Sequence, residues 1–412
     1  MVSSERRWIL SIAALAFLLR LGYAASSGSL RDPQVWEQET IATNLLEHHA
    51  FLCEHDGTTY RAYAEPMYPF IAAAVYLVTG HSRAAMVLLQ IVISTITVWL
   101  TARLAGTVTA DSSAEAFAAL LMAIHPGFIR YSSILHPLIF DAFFFVAAAA
   151  AIVRYRHSPT LRNALVASAV IGLGAMTRPT ILLFLLPLGW MAWRSGWQRT
   201  AAVVVAALAM MAPWTIRNAV VLHGFALTRS GTGFVLWLGN NPNTTGSATD
   251  ADGRPLLLAA PPEFQARVRA ADELTRDRIF REAARDTILA NPGAAAVRVA
   301  RRFLFFWWFS PQWGRNYPPL AKAVYRIWWA GVLLLCAIGA FLSWRLAPQQ
   351  RHDVWLLVAM AVLVSIGQSL FYVEGRHRLA VEPLILPLAA LTARLQRDSG
   401  GARRAIMSPR TP

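Results

Sequence analysis

The sequence predicts an all-α integral membrane fold of about ten transmembrane helices, and three observations predict it. Apolar residues make up 56% of the chain and charged residues 15%, against roughly a quarter charged in ordinary soluble domains. The apolar residues come in runs close to the ~20 residues that cross a bilayer. Between the runs lie short clusters of arginine, the distribution expected of cytoplasmic loops. The excess of 38 Lys and Arg over 23 Asp and Glu would point to nucleic acid in a soluble protein. Here its placement makes it a topology signal, and no nucleic-acid partner is expected. Cys53 and Cys336 are the two cysteines, too few for a disulfide framework or a multi-cysteine metal site.

Trp8–Ala25 is the first run. Arg6 and Arg7 precede it and no A-x-A-like cleavage pattern follows, so it reads as an anchor with its N-terminus inside. The later candidate spans are Ala84–Leu104, Ala114–Ile124 with its flanks, Leu138–Val153, Ala164–Met176, Thr180–Trp193, Thr200–Ile216, Val324–Trp344, Val354–Tyr372 and Leu379–Leu395. Threaded this way, Arg103, Arg154/Arg156/Arg162, Arg194/Arg199, Arg345/Arg351 and Arg394/Arg397/Arg403/Arg404 all fall on the cytoplasmic side. Counting the short apolar run Tyr68–Thr79 as a span would invert every later loop. It therefore reads as an interfacial or re-entrant helix.

The whole chain, 1–412, reads as a single membrane domain with both termini cytoplasmic, in the cell inner (plasma) membrane. Two extracytoplasmic loops are too long to be turns, about 26–83 and 217–322. The second contains a polar helical stretch, Glu263–Leu289, ended by Asn291-Pro292. It is followed by Phe303–Trp313, FLFFWWFSPQW, whose aromatic rings suit the headgroup layer. Residues 397–412 read as a basic cytoplasmic tail. No internal repeat is visible, so an inverted-repeat transporter has no support here.

The polar residues that could carry chemistry collect at the extracytoplasmic span ends. The first loop offers Asp32, Glu37, Glu39, Glu47, Glu54, Asp56 and Glu65. Facing them are arginines on the side where the positive-inside rule does not expect them: Arg130, Arg178, Arg217, Arg376 and Arg378. Any one of these could be a snorkelling anchor. Five on one side, several beside a proline, suit a phosphate held by planar forks of donors, with a carboxylate nearby as general base. His136 is a candidate substrate contact or a simple helix breaker with Pro137. The run HHAFLCEH, His48–His55, has no standard zinc spacing, and Asn243-Thr244-Thr245 fits a glycosylation sequon that arises often by chance.

Five stretches in order resemble the GT-C-type membrane glycosyltransferases, and within them the dolichyl-phosphate-mannose–protein mannosyltransferase and aminoarabinose-transferase (PMT-like) group. They are WEQETIATNLLEHHAF (Trp36–Phe51), EPMYPFIAAAVYLVTG (Glu65–Gly80), AMTRPT (Ala175–Thr180), PWTIRN…GFVLWLGNNPNTTG (Pro213–Gly246) and YVEGRHRLAVEPLILPLAAL (Tyr372–Leu391). The likeness runs from Trp8 to about Leu395 and implies a GT-C-like fold. It implies a sugar donor carried on polyprenyl phosphate and a lipid, glycan or protein acceptor. By the same resemblance Glu37 is the general base, with Asp32 its rival. Arg178, Arg217, Arg376 and Arg378 would hold the phosphate, while His136, Asn240, Asn241 and Glu382 are candidate substrate contacts. Glu382 has the alternative role of pairing with one of the arginines. Gln34 and Glu65 depart from the family pattern, Glu65 where relatives often have Pro or Lys.

The resulting expectation is an inverting glycosyltransferase that needs no cofactor, with a divalent metal left open because no cluster requires one. The competing readings are a lipid-linked-sugar transporter, whose arginines would face a mid-membrane cavity, and a non-catalytic envelope-assembly protein, which needs no clustered acid and arginines.

Overall fold

The computed structural model describes residues 2–55, 57–315 and 317–394. The expected tail at 397–412, Arg397, Arg403, Arg404 and Asp56 lie outside the described residues. The chain is helical almost throughout. It opens with α1 (Val2–Ser26) and α2 (Glu37–Glu47), then a short antiparallel hairpin of β1 (Cys53–His55) and β2 (Thr58–Tyr60). There follow α3 (Met67–Thr79), α4 (Arg83–Thr109), α5 (Ser112–Ala123), α6 (Pro126–Tyr131), α7 (Leu138–His157) and α8 (Leu161–Ala175). A 3-10 turn, Pro179–Phe184, leads into α9 (Leu185–Trp193), and α10 (Trp197–Leu222) follows. The second long loop holds α11 (Thr232–Asn240), α12 (Pro262–Arg269), α13 (Glu273–Ala290) and α14 (Pro292–Trp307). The chain returns through α15 (Pro319–Leu342), α16 (Pro348–Ser369), α17 (Gly375–Leu379) and α18 (Glu382–Ala390).

Among the described residues, six helices are long and apolar enough to cross a membrane: α1 from Trp8, α4, α7, α10, α15 with its 3-10 end, and α16. The protein is thus a multi-pass membrane protein. The other expected spans are shorter apolar helices, among them α5, α8 and the Pro179–Trp193 segment. Leu379–Leu395 is not one continuous helix, because α17 and α18 divide it. The 13 residues of α3 reach only about 20 Å, too short for a bilayer core of about 30 Å.

The bundle is apolar on its outside. Leu186, Trp190, Val205, Ile216, Ile327, Leu334 and Phe341 are all exposed, as a lipid-facing surface requires. Its interior carries polar side chains satisfied locally. Thr97, Thr101 and Thr109 return their hydroxyl protons to the carbonyl four residues back, at 2.7–2.8 Å. Arg20 is fully buried and divides its donors among Ser94 Oγ (2.7 Å) and the carbonyls of Ala16, Met122 and Ala123 (3.0–3.1 Å). The last two carbonyls lie at the C-terminal end of α5, where the helix dipole favours a cation.

The innermost helix is α18, all nine of whose residues are buried, between α15, α4, α5, α16 and α7. Gly339 of α15 lets α18 come close, since a Cβ there would lie 1.9 Å from the Leu388 carbonyl oxygen. At one end of the bundle the basic turns meet. Arg156 and His157 bind Asp353, Arg199 donates to the Pro159 carbonyl, and Arg394 pairs with Asp111. The long loops gather at the other end.

Two expectations for the second loop are corrected. Glu263–Leu289 is two helices, because Asp272 caps a new N-terminus by accepting from the amides of Leu274 and Thr275 (3.1 and 3.0 Å). The aromatic run is only partly a surface feature. Phe306 and Phe309 are buried, Trp307 donates to Ser365 Oγ (3.1 Å), and Trp329 donates to the Trp307 carbonyl (2.6 Å), while Leu304 and Trp308 stay exposed.

Gly339→Leu should force α15 and α18 apart. We expect a loss of about 1–3 kcal/mol, read as a lower apparent Tm of the detergent-purified protein.

Candidate active site

Backbone ties at the loop end bring distant segments together before any side chain is considered. Leu135 N–H donates to the Gln34 carbonyl (2.9 Å), and Val35 bridges Leu135. This sets Trp36 and Glu37 beside the His136 loop. Gln90 of α4 fixes the same loop through the Ser132 and Ile134 carbonyls (3.1 and 2.8 Å), and its Oε1 accepts from Tyr68 of α3 (2.8 Å). Met67 N–H donates to the Met176 carbonyl (3.0 Å), placing Glu65 next to the Thr177–Arg178 corner. Glu273 of α13 accepts from the Arg61 and Ala62 amides (2.6 and 3.0 Å) and from Ser230 Oγ (2.5 Å). That last tie joins Tyr63 to Arg229.

The side chains gathered this way are of both signs. Arg178 donates through Nε to Asp141 Oδ2 at 2.8 Å, and Asp141 is buried in the first turn of α7. Arg376 pairs with Glu374 and lies over the Trp36 ring, 4.8 Å from its centroid. The Trp36 ring meets His136 edge-on at 5.1 Å. Arg229 lies 3.8 Å from Glu65 and 5.7 Å from the Tyr63 ring centre. Glu37 occupies the first turn of α2, partly exposed, and its charge bears on Cys53, Tyr63 and Arg229. Burial, then Glu37 and Glu54, push the Cys53 thiol up to about 11. Burial and Glu37 also push the Tyr63 phenol up, against the pull of Arg229. Burial, then Arg376 and Arg178, drive His136 and His377 well below the ordinary histidine range. Both rings are therefore neutral near pH 7.

The candidate residues divide into those at this cluster and those that are not. His136, Arg178 and Arg376 come together, while Glu37, next to Trp36 in the chain, faces Cys53, Tyr63 and Arg229. Asp32 is exposed in the turn after α1, and the charge it bears on is that of Arg83 at the start of α4. Glu39 is buried and held by Arg83 Nε at 2.8 Å.

Arg217 does not join the other arginines. It donates to the Arg61 carbonyl (2.5 Å) and Asn218 Oδ1 (3.1 Å) and stacks on Trp214 at 4.7 Å, so it fastens the first loop to α10. Arg378 turns inward, fully buried. It donates to Glu382 Oε1 (2.6 Å), the Phe306 carbonyl (3.1 Å) and Tyr325 Oη (3.2 Å), with its guanidinium 4.0 Å from the Trp329 ring centre. Glu382 is also bound by His125 Nε2, so the pair is a core ion pair.

Asn240 and Asn241 are buried and occupied by backbone. Asn240 donates to Leu236 and Leu370 (both 2.9 Å) and accepts from buried Arg302 (3.1 Å). Asn241 donates to Trp237 (3.2 Å) and accepts from the Asn243 amide (2.9 Å). The residues that sequence reasoning missed are Arg229, Asp141 and His377. Their signal was a charged or imidazole group beside an apolar run, which only contact with the other segments makes informative.

Residues 63–217 match the family model described as dolichyl-phosphate-mannose-protein mannosyltransferase. This segment carries Glu65, His136, Asp141 and Arg178. None of the curated proteins compared matches the chain. The archaeal oligosaccharyltransferase AglB from Archaeoglobus fulgidus, solved with an inhibitory peptide and a dolichol-phosphate, aligns over 99% of this chain and 53% of its own at 13% identity and TM-score 0.51. A second Archaeoglobus fulgidus oligosaccharyltransferase structure, with Zn and sulfate, aligns over 97% and 50% at 15% identity and TM-score 0.52. ArnT from Cupriavidus metallidurans, bound to undecaprenyl phosphate, aligns over 98% and 82% at 16% identity and TM-score 0.42. The chain spans about half the length of the archaeal chains. What it shares with them is the polytopic helical fold of GT-C type. Its residues 63–217 resemble the dolichyl-phosphate-mannose-protein mannosyltransferase family.

Two outcomes follow for the charged groups. Arg378→Met should destabilise by about 3–5 kcal/mol, because it leaves Glu382 buried with one cation fewer. Arg376→Met should move the apparent Tm far less, since its partner Glu374 is partly exposed. For the histidines the sign is set by the unfolded chain, whose imidazoles titrate near ~6.5 while the folded ones lie well below. Their contribution is complete above ~6.5 and is lost as pH falls toward the folded values. The apparent Tm should therefore drop between pH 7.5 and 5.5, with a shallower slope in the His136→Gln/His377→Gln double variant.

Proposed function

We propose that the protein is a membrane glycosyltransferase. It moves a sugar from a polyprenyl-phosphate donor to an acceptor hydroxyl on the extracytoplasmic face, with Glu37 as general base. The observation that carries the reading is the meeting of Arg178, Arg376 and His136 at one end of a lipid-embedded bundle, with Trp36 between Arg376 and His136 and Glu37 next to it in the chain. A phosphate on a prenyl tail arrives at that depth, where two guanidiniums supply the planar donor forks it needs. The transporter reading is less well supported. It needs its cations at mid-membrane depth, whereas these sit at the helix ends that carry the long loops. The PMT-like segment match supports the same conclusion, as does the dolichol-phosphate named in the AglB structure.

Chemically the step is a single displacement. Glu37 takes the proton of the acceptor hydroxyl, whose oxygen attacks the anomeric carbon. The bond from that carbon to the phosphate oxygen breaks, and its electron pair leaves with the prenyl phosphate. Arg178 and Arg376 face the charge that grows on the phosphate as it departs. Asp141 and Glu374 hold those guanidiniums in place, so less reorganisation is left for the moment of reaction. Attack opposite the leaving group inverts the sugar carbon. An apolar groove of about 560 Å³ between α14 and α16, lined by Val299, Ala300, Phe303 and Ile366, offers room for a prenyl chain.

The test is sugar transfer by purified protein in lipid, offered a panel of polyprenyl-phosphate sugars. Transfer from none of them would refute the assignment. With an active donor, Glu37→Gln should lower turnover by about 10²–10⁴-fold while prenyl-phosphate binding changes little. Asp32→Asn should stay near wild type. The reverse pattern would move the base to Asp32.

A further inference from the structure

Two histidines from different elements frame the arginine pair. His136 precedes α7, and its Nδ1 accepts from the Leu138 N–H at 3.1 Å. His377 is the third residue of α17, and its Nδ1 accepts from the Glu374 N–H at 3.2 Å. A ring nitrogen that accepts carries no proton, so in the neutral ring the proton must sit on Nε2. Both tautomers are thus set by the backbone. Neither Nε2 has a hydrogen-bond partner among the described residues, yet neither is sealed off from the surface. As whole residues, His136 and His377 are 7% and 6% exposed. Each therefore keeps one N–H that no side chain or carbonyl of the described residues accepts.

The surroundings explain why these donors stay uncharged. The cations facing both rings are Arg376 from α17 and Arg178 from the corner after α8, and the two imidazoles also feel each other. Glu374 and Asp141 neutralise part of this charge, each held by its own arginine. The neighbouring rings are Trp36 and Tyr131 beside His136, and Tyr372 beside His377. A further positive charge on either imidazole would sit between two guanidiniums.

We propose that His136 and His377 bind the phosphoryl oxygens of the prenyl-phosphate donor through Nε2–H, as hydrogen-bond donors that complete the site of Arg178 and Arg376. This rests on the prenyl-phosphate reading above. A neutral imidazole lends a hydrogen bond without surrendering its proton, so the leaving phosphate is held but not protonated. As the bond from sugar carbon to phosphate oxygen breaks, the phosphate goes from one negative charge to two. Both donor hydrogen bonds strengthen in that direction. The acceptor proton stays on Glu37, and the balance needs no other group.

The test uses a probe that does not titrate, farnesyl methyl phosphate, a diester with one charge throughout the working range. Its binding to the whole protein in lipid nanodiscs is measured by calorimetry from pH 5.5 to 8. Glutamine can present an N–H near the Nε2 position, whereas asparagine presents one near Nδ1. His136→Asn and His377→Asn should each weaken binding about tenfold or more, and the glutamine variants should stay within about threefold of wild type. Wild-type affinity should be flat across ~6.5, since neither ring changes charge there. Carbon and nitrogen shifts of ring-labelled histidine should report the Nε2–H tautomer at both positions without ligand. Binding untouched by the asparagine changes, equal loss in glutamine and asparagine variants, or affinity that rises as pH falls through ~6.5 would overturn the role of the histidines alone. Failure of the wild type to bind the diester, with the tautomers as assigned, would overturn the prenyl-phosphate reading and this role with it.

Discussion

The buried carboxylate of Glu382 is the constraint around which the loop end of the bundle is arranged. It opens α18 and is bound by Arg378 Nε, Tyr325 Oη and His125 Nε2. These partners come from α17, α15 and the start of α6. Arg378 then reaches the Phe306 carbonyl of α14. One charge therefore fixes the relative position of five helices at the depth where the bundle meets its loops. Such an arrangement is costly to desolvate and costlier to leave half made. That specifies one packing of α18 against its neighbours, with Gly339 removing the side chain that would otherwise hold it off.

The same anchor decides what the arginines of α17 can do. Arg376 and Arg378 are two residues apart on one short helix, so they point in different directions. Arg378 goes into the core and spends its donors there. Arg376 is left at the surface of the site, over Trp36, with Glu374 as counter-charge. The site thus inherits its cation from the geometry of a core ion pair. Arg178 is positioned by the analogous use of Asp141 in α7. In both cases a carboxylate of lower exposure or nearby sequence orients the guanidinium and leaves part of its fork free.

The acidic side of the site is built differently, from loop backbone. Glu37 is carried to it by the bridge between Val35 and Leu135, and Tyr63 and Arg229 by the carboxylate of Glu273. Irregular chain can exist here because its amides are paired with other loops and two of its carbonyls with Gln90, and so need no water. The consequence is a site in which Glu37, Glu65 and Asp141 alternate with Arg229, Arg178 and Arg376.

The sequence by itself determined the membrane class, the helices and their grouping, because apolar run length and charge placement act locally and need no partner. It named Glu37, Arg178 and Arg376 as candidates, through motifs that follow one another in order along the chain. It could not separate Arg376 from Arg378, or Arg217 from Arg178, since all four are arginines near span ends and differ only in what they face. Asn240 and Asn241 looked available for the same reason, until Arg302 and the Leu370 carbonyl were seen to occupy Asn240 and the Trp237 carbonyl and Asn243 amide Asn241. Arg229 and His377 stayed hidden because their meaning lies in neighbours about 160 and 240 residues away, Glu65 and His136. Which polar group is a structural partner and which is left free is a matter of direction and burial, and those are set only when the helices pack.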